Sequence, residues 1–496
     1  MPRRSPITIT LTPPLSRRTG RGGGAPLALV VALLAGCVDH SKDVARYRAI
    51  LDGPAPSTRP AFDAAEPLSL RRALQVANAD NESIASSGED YIQALADKMR
   101  QAGTFLPTLT LAPTYNVTRR QRGGSGGSFV IGGGGTGTDL DGDGVIDTPG
   151  TISIGGNQSA GTIEQTTVPL NASVTGSLAN AANLRAASRT AEQREQLLLD
   201  TRQTVLLQVA AAYYDVLRFE RQASVYESGV RLRAEQVRDQ DARLRLGGVR
   251  PLDLAQSQAQ FASTRVSLTQ AHTDAANARS ALARLMGVDA VRGPLVDAFT
   301  PPPGDLADLG TWQAQALAAR HDLLAAQRAV ESARQGVAAA IRQYYPSVSI
   351  NFNYFLYTNP DTAQTWAGGV SANVPIFSAL SIEADVRSAW SRYRQSGLAE
   401  SSARRQVADD VAQAHQNVTG NRRKIADLQV QVTAAQRAAD LTERGYQLGS
   451  ETNLDRLVQQ DNLLAAQLNL VNEQFSEKRN YLALLRAAGG LASMLE

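Results

Sequence analysis

The side chains best suited to bind a metal ion are four aspartates in a glycine-rich part of the 496-residue sequence. Asp139, Asp141 and Asp143 alternate with other residues, a glycine stands at the sixth position, and Asp147 follows. Such alternation is typical of the start of a calcium-binding loop, but the twelfth position is a glycine rather than a bidentate glutamate. We interpret this Asp-rich run either as a Ca²⁺ site or as an acidic, flexible surface loop.

The remaining metal-binding and nucleophilic residue types are sparse. The single cysteine, Cys37, excludes an intrachain disulfide and a cysteine-based metal cluster. The histidines lie far apart and form no spaced ligand pair: His40, His272, His321 and His415. The sequence also lacks a Walker-type glycine loop. We therefore expect no enzymatic activity and no required cofactor.

Cys37 closes an N-terminal segment with the character of a secretion signal. Residues 1–36 have a basic start, and the apolar run at 25–34 is too short to span a bilayer. The tetrapeptide Leu34-Ala35-Gly36-Cys37 is similar to a bacterial lipobox, in which the chain is cut before a lipidated cysteine. This predicts a signal peptide at 1–36, a lipid on Cys37 and an acylated linker at 37–67. The alternative is a buried cysteine behind a signal peptide that is cut elsewhere.

The net charge changes sign once this leader is considered separately. Fifty basic and forty-seven acidic residues give +3, but five arginines and no acidic residue precede Cys37. Removing those five charges leaves about −2, so the charge balance does not indicate a nucleic-acid partner. No uninterrupted apolar stretch of about 18 residues follows Cys37, which predicts that the chain has no transmembrane helix.

An internal repeat organises the rest of the chain. Leu246-Gly247 followed by Leu252-Asp253 recurs 202 residues later as Leu448-Gly449 followed by Leu454-Asp455. We predict a first structural repeat at 68–287, a proline-rich linker at 288–309, a second repeat at 310–490 and a tail at 491–496.

Each repeat predicts the same series of elements: a helix, a strand, a loop, a second strand, a very long helix, a tight turn and a returning helix. The first helices are expected at about 68–102 and 310–343. The predicted strands are about 105–118 and 165–177, separated by an extracellular insertion at about 121–163, and then about 345–357 and 365–377.

The strands alternate apolar residues with small, uncharged polar ones. In the third strand one face carries Val348, Ile350, Phe352, Tyr354 and Leu356, and the other carries Ser347, Ser349, Asn351 and Asn353. A soluble sheet with one wet face and a membrane barrel with a wet lumen both have this pattern. Because four strands cannot close a barrel, a barrel would require several chains to pool their strands.

The predicted long helix at about 183–245 contains no proline and would reach roughly 90 Å. Its apolar stripe includes Leu207, Val209, Ala210 and Val216. A compact domain needs no such rod. It suits either a helical cylinder that spans the periplasm or a coiled-coil spacer, and the strands favour the cylinder.

These features together resemble the TolC-type outer-membrane factors, in particular their lipoprotein branch. The resemblance covers about residues 68–490 and rests on the duplicated plan, the Leu-Pro and Val-Pro strand motifs and both Leu-Gly…Leu-Asp turns. It implies a mainly α fold with a β-barrel part. Three chains would form a twelve-stranded outer-membrane barrel continuing into a periplasmic α-helical tunnel. The implied partners are outer-membrane lipid, a periplasmic adaptor protein and an inner-membrane transporter.

The turns at 246–253 and 448–455 are then expected to be the periplasmic tips, with roles in gating or adaptor docking. The candidate residues are Leu246, Gly247, Asp253, Tyr446, Leu448, Gly449 and Asp455. The resemblance assigns Tyr446 and Asp253 to the contacts that hold the tip closed. Glu451 occupies the place of the family's arginine, and Val458 that of an acidic residue in the constriction. Simple helix capping also explains the glycines, Pro251 and the Thr452–Asp455 pair.

The function predicted from the sequence is therefore a passive export duct, as the channel component of a tripartite efflux or type I secretion system. The alternative is a lipid-anchored periplasmic coiled-coil protein, structural or adaptor in role, without transport activity.

Overall fold

The computed structural model describes residues 40–52, 62–119, 162–304, 306–359 and 365–492. The chain divides into two compact units, Met1–Pro56 and Ser57–Glu496. Helix α1 (His40–Asp52) belongs to the first unit. Cys37 and the Asp-rich run lie outside the described residues.

The second unit repeats one order of elements. Its first half contains β1 (Leu68–Ser69), α2 (Leu70–Asp80), α3 (Glu82–Gly103), β2 (Thr108–Leu111), β3 (Thr114–Arg119), β4 (Thr162–Gly176), α4 (Leu178–Arg245) and α5 (Pro251–Met286). Its second half contains β5 (Leu295–Val296), α6 (Leu309–Ala319), α7 (His321–Arg342), β6 (Ser347–Asn359), β7 (Trp366–Asn373), α8 (Ser381–Leu448) and α9 (Asn453–Ala487).

The first helix of each half is interrupted, where the sequence predicted one continuous helix. Asn81 separates α2 from α3, and its side-chain oxygen accepts hydrogen bonds from the amides of Ser83 and Ile84. Arg320 separates α6 from α7 and has an extended backbone. A side chain that caps the next helix competes with continuation of the previous one, which accounts for the break at Asn81.

Two helices of 68 residues each, α4 and α8, form the long axis of this unit. At about 1.5 Å per residue each extends roughly 100 Å. Their return helices α5 and α9 have 36 and 35 residues, so the two hairpins match in length. Helix α4 starts at Leu178 rather than near 183 because Ser177 caps it by accepting from the amide of Asn180.

Helix α4 packs against α3, α5, α7 and α9 along its length. Of the apolar stripe predicted for this helix, Val209, Ala210 and Val216 are fully buried. Leu207 is only half-buried, and Leu206 takes the core position instead. A second core joins α6, α7, α8 and α9 through Ala316, Leu323, Val407, Val411, Ala414, Val418, Leu484 and Ala487.

The long strands form one antiparallel sheet. β4 pairs with β6, and β6 pairs with β7. β2 and β3 both pair with β4, so they act as one interrupted edge strand. The predicted single strand at 105–118 is thus wrong in its continuity, since Pro113 has no amide hydrogen for the ladder. The last strand likewise ends at Asn373, two residues before Pro375, instead of at 377.

Strand β6 exposes its apolar face and half-buries its polar one. Val348, Ile350, Phe352 and Tyr354 are between 43% and 50% exposed. The intervening residues are less accessible: Ser347, Ser349, Asn351 and Asn353. This alternation confirms the predicted faces. Separately, no helix among the described residues is long and apolar enough to cross a membrane.

A register shift changes the pattern near the end of β6. Val168 pairs with Tyr357 while Pro169 pairs with Phe355, which leaves Leu356 as an extra residue opposite β4. Beyond this bulge Tyr357 joins the exposed face, whereas Phe355 before it follows the regular alternation and is half-buried.

The short strands β1 and β5 pair in parallel and are fixed to α4 by one side chain. The hydroxyl of Tyr213 lies 2.8 Å from the carbonyl oxygen of Leu68 and 2.7 Å from that of Val296, to which it donates. Tyr213 is fully buried, and burial raises the pKa of its phenol. The neutral hydroxyl therefore links the first strand of the first half to the first strand of the second half.

We expect Tyr213→Phe to lower the free energy of unfolding by about 1–2 kcal/mol, because the buried carbonyls lose their donor without a change in apolar packing. Guanidinium chloride titration followed by the helical circular dichroism signal measures this loss. Tyr345→Phe is the control, since Tyr345 is 53% exposed. Equal stability of Tyr213→Phe and the control would contradict the assigned role.

Candidate functional site at the two hairpin turns

The first turn joins α4 to α5 at the end of the long hairpin that lies away from the sheet. The amide of Gly247 donates to the Leu244 carbonyl and that of Gly248 to the Arg243 carbonyl. Gly247 has a φ of +74°, which a residue with a Cβ adopts only at a cost. The predicted role of Gly247 in ending the helix is confirmed.

The start of α5 is fixed by Arg250, Pro251 and Asp253. Pro251 occupies the first helical position, where its missing amide hydrogen costs nothing. The Asp253 carboxylate accepts from the Arg250 backbone amide at 3.2 Å and from its guanidinium at 3.0 and 3.1 Å. The side-chain bond to Arg250 lowers the pKa of Asp253. Within the chain, therefore, Asp253 is paired with Arg250.

The second turn joins α8 to α9 by the same means. Gly449 has a φ of +81°, and its amide donates to the Tyr446 carbonyl. Thr452 and Asp455 form the predicted capping box, with each side chain accepting the backbone amide of the other. Hydrogen bonds from Thr452 lower the pKa of Asp455.

A buried polar cluster connects the two turns. We call it the turn cluster and define it as Gln240, Tyr446, Asn453, Arg456 and Ser257. Gln240 Nε2 donates to the Tyr446 hydroxyl at 2.6 Å. Asn453 Nδ2 donates to Ser257 Oγ at 3.3 Å and to the backbone carbonyl of Asp253 at 3.1 Å. All four helices of the two hairpins thus contribute to one set of hydrogen bonds.

Arg456 provides the positive charge of the turn cluster. It is only 2% exposed, and its guanidinium carbon lies 4.1 Å from the centroid of the Tyr446 ring. Its Nη2 donates to Asn453 Oδ1 at 2.8 Å, and its Nη1 lies 3.8 Å from a carboxylate oxygen of Glu443. Both the Tyr446 ring face and the Glu443 carboxylate attract the buried guanidinium electrostatically.

The resemblance assigned Tyr446 and Asp253 to the same closing contacts. Within the chain, however, the Tyr446 side chain contacts Gln240 and Arg456, whereas the Asp253 side chain pairs with Arg250. Sequence reasoning missed Gln240, Asn453 and Arg456. A signal was available, because Asn453 and Arg456 stand 202 residues after Pro251 and Leu254. Where one copy of a repeat has polar residues and the other has apolar ones, the two copies differ in their local contacts, and this difference pointed to Asn453 and Arg456.

A second buried charge lies further from the turns. Arg233 on α4 is buried and pairs with Asp461 on α9. Gln260 on α5 donates to both oxygens of the same carboxylate at 2.7 and 2.6 Å. The hairpins are thus joined by polar contacts at two levels. No group of three or more potential metal ligands occurs among the described residues.

The outer surface of the turns carries exposed leucines at matching positions in the two halves. Leu246 and Leu448 are 86% and 85% exposed, and Leu252 and Leu454 are 55% and 54% exposed. Val458 is also exposed. A turn in water usually buries its apolar side chains and exposes its polar ones, and here leucines are exposed while polar residues are buried. Exposed apolar surfaces of this kind commonly mark sites of protein contact.

Comparison with known proteins identifies the family. The sequence profile of the family described as outer membrane efflux protein matches residues 73–288 and 312–490. The chain is 27% identical to outer membrane efflux protein BepC of Brucella suis over 309 residues, which is 61% of this chain and 66% of the relative. It is 25% identical to outer membrane protein TolC of Vibrio cholerae over 62% of this chain and 73% of the relative.

Solved structures agree in fold. The CmeC outer membrane channel of Campylobacter jejuni superimposes with a TM-score of 0.72 at 16% identity, covering 85% of this chain and 86% of the channel. The open-state MtrE outer membrane channel of Neisseria gonorrhoeae gives 0.67 at 19% identity, covering 88% and 97%. The resemblance to TolC-type outer-membrane factors is confirmed, and the chain belongs to the outer membrane efflux protein family.

Proposed function

We propose that three copies of this chain form an outer-membrane channel that serves as a passive export duct. The observation that carries this proposal is strand β6, whose apolar face is exposed while its polar face is half-buried. Water disfavours such an arrangement, whereas lipid outside and a wet lumen inside favour it. The names of the relatives, which include outer membrane efflux proteins and a cation efflux system protein, support the same function.

The edges of the sheet support assembly of several chains. β7 pairs with β6, and the β2–β3 edge pairs with β4, so among the described residues each has one side without a partner strand. Unpaired backbone groups are very costly in lipid. Three copies would supply twelve strand positions and let each edge pair with the next chain, closing the barrel that the sequence predicted.

The helical hairpins would continue this barrel as a tunnel through the periplasm, with the two turns at its far end. We infer that the exposed leucines at the turns contact a periplasmic adaptor protein, and that an inner-membrane transporter supplies the energy. The turn cluster would hold the tunnel end closed until such a partner docks.

Two further proposals rest on the sequence. Cys37 would carry the lipid that anchors the N-terminus in the outer membrane, and the mass of the N-terminal peptide tests this. The Asp139–Asp147 segment would bind Ca²⁺ outside the cell, and calorimetry of the full chain against Asp141→Ala at millimolar calcium tests that.

The assembly has a direct test. We expect the protein in the outer-membrane fraction, migrating as a trimer without heating and as a monomer after boiling. In planar bilayers the trimer should conduct ions without nucleotide. A stable, detergent-free monomer that does not conduct would contradict the proposal.

The lipid-facing side of the sheet can be tested by a matched pair of substitutions in β6. We expect Phe352→Arg to destabilise the inserted state by about 2–4 kcal/mol, because it places a charge on the apolar face. Asn351→Arg places the same charge one residue away on the polar face and should be tolerated. The measurement is the fraction of heat-resistant trimer in the outer membrane. A larger loss for Asn351→Arg would reverse the assigned faces.

The turn cluster predicts a change in gating. Tyr446→Phe combined with Arg456→Gln removes the Gln240 hydrogen bond and the stacked cation, which together stabilise the closed end. A loss of about 1.4 kcal/mol would raise the open probability about tenfold in single-channel recordings. Arg245→Gln is the control, because that side chain is exposed and pairs with Asp241 near the same end. Equal gating of the two variants would exclude the turn cluster as a latch.

A further inference from the structure

Three arginines line a cavity of about 530 Å³ between α4, α7 and α8. They are Arg185, Arg334 and Arg342, and the aromatic side chains of Trp390 and Tyr393 complete the wall. The lining contains no acidic residue. A concave site with three cations and no counter-charge attracts an anion.

These arginines have no side-chain hydrogen bond or ion pair within the part of the chain that the structure describes. Two neighbouring arginines on these helices are paired. Arg189 on α4 contacts Glu192 and Glu331 at 2.7 and 3.3 Å. Arg328 on α7 contacts Glu331 at 3.0 Å. The charges are therefore balanced one or two turns away but left unbalanced at the cavity.

The cavity lies close to the junction between helices and sheet. Arg185 is seven residues into α4, which begins just after β4, and Trp390 is nine residues into α8, so both lie about 10–15 Å from the sheet end of their helices. Arg342 is the last residue of α7, shortly before β6.

The surface around this junction is apolar and aromatic. Tyr344 and Tyr345 are exposed between α7 and β6, and Phe377 and Leu380 are exposed before α8. On the cavity wall, Ile341 and Trp390 are also exposed, and the Trp390 and Tyr393 rings meet edge to face at 5.7 Å. Aromatic rings combined with arginine are typical of the layer where lipid headgroups meet acyl chains.

We propose that this cavity binds the phosphate of an anionic phospholipid in the periplasmic leaflet of the outer membrane. The three guanidinium groups would donate to the phosphate oxygens, while acyl chains lie along the exposed aromatic surface. The choice of a lipid over a free phosphate rests on the proposed insertion of the sheet in the membrane. Such a lipid would seat the channel at a fixed depth.

The test measures lipid retention by the purified full-length protein in detergent with native mass spectrometry. The probes are phosphatidylglycerol, zwitterionic phosphatidylethanolamine and inorganic phosphate. We expect the protein to retain phosphatidylglycerol preferentially. Replacing Arg185, Arg334 and Arg342 together by glutamine should weaken that retention about 10- to 100-fold.

A charge-matched variant is the control, with glutamine at Arg231, Arg245 and Arg404, which are exposed elsewhere on α4 and α8. It should retain phosphatidylglycerol like the wild type. Equal retention by the cavity variant, or an equal loss in the control, would overturn the site. Full displacement of the lipid by equimolar inorganic phosphate would overturn the lipid as its occupant.

Planar-bilayer conductance separates this inference from the proposed function. The cavity variant should still form a conducting trimer. Conduction without any effect of the three arginines on lipid retention would overturn only the lipid site. A wild-type protein that neither trimerises nor conducts would overturn the channel itself.

Discussion

The architecture depends on one constraint: a sheet whose apolar side faces outward needs a non-aqueous surrounding, and its backbone groups need partners there. Hydrogen-bonding groups that lose water without gaining a partner cost several kcal/mol each. The apolar side chains of β6 create the need for a non-aqueous surrounding. Neighbouring strands supply the backbone partners, except at the two edges of the sheet among the described residues. The long helices extend from this sheet and are not bound by the same constraint, because each satisfies its own backbone hydrogen bonds.

The long hairpins are stabilised in two different ways along their length. Near the sheet and in the middle, small and branched apolar residues such as Ala210 and Val411 pack into closed cores. Towards the turns, buried polar residues replace them, first around Arg233 and then around Arg456. Apolar cores tolerate little rearrangement, and buried hydrogen-bond partners are costly to separate unless each finds a new partner. The arrangement of the helices at the turn end therefore depends on specific hydrogen bonds rather than on apolar packing alone.

Much of this fold follows from sequence periodicity. The two faces of β6, the pairing of long and returning helices, and the glycine caps at 247 and 449 were predictable because each depends on local chemistry. The breaks at Asn81 and Arg320 were not, since a single residue interrupts each otherwise helical pattern. The turn cluster and the cavity around Arg185 were also missed. Both combine residues from three or four distant segments, and no spacing along the chain encodes such contacts.

The equal lengths of the two hairpins have a geometric consequence. Because α4 and α8 match in length and α5 nearly matches α9, both turns lie at the same level and present almost the same leucines. Three such chains around an axis would display six near-equivalent contact points in a ring. A circular partner with six-fold rotational symmetry could engage every one of them at once, although the proposed channel would have only three subunits.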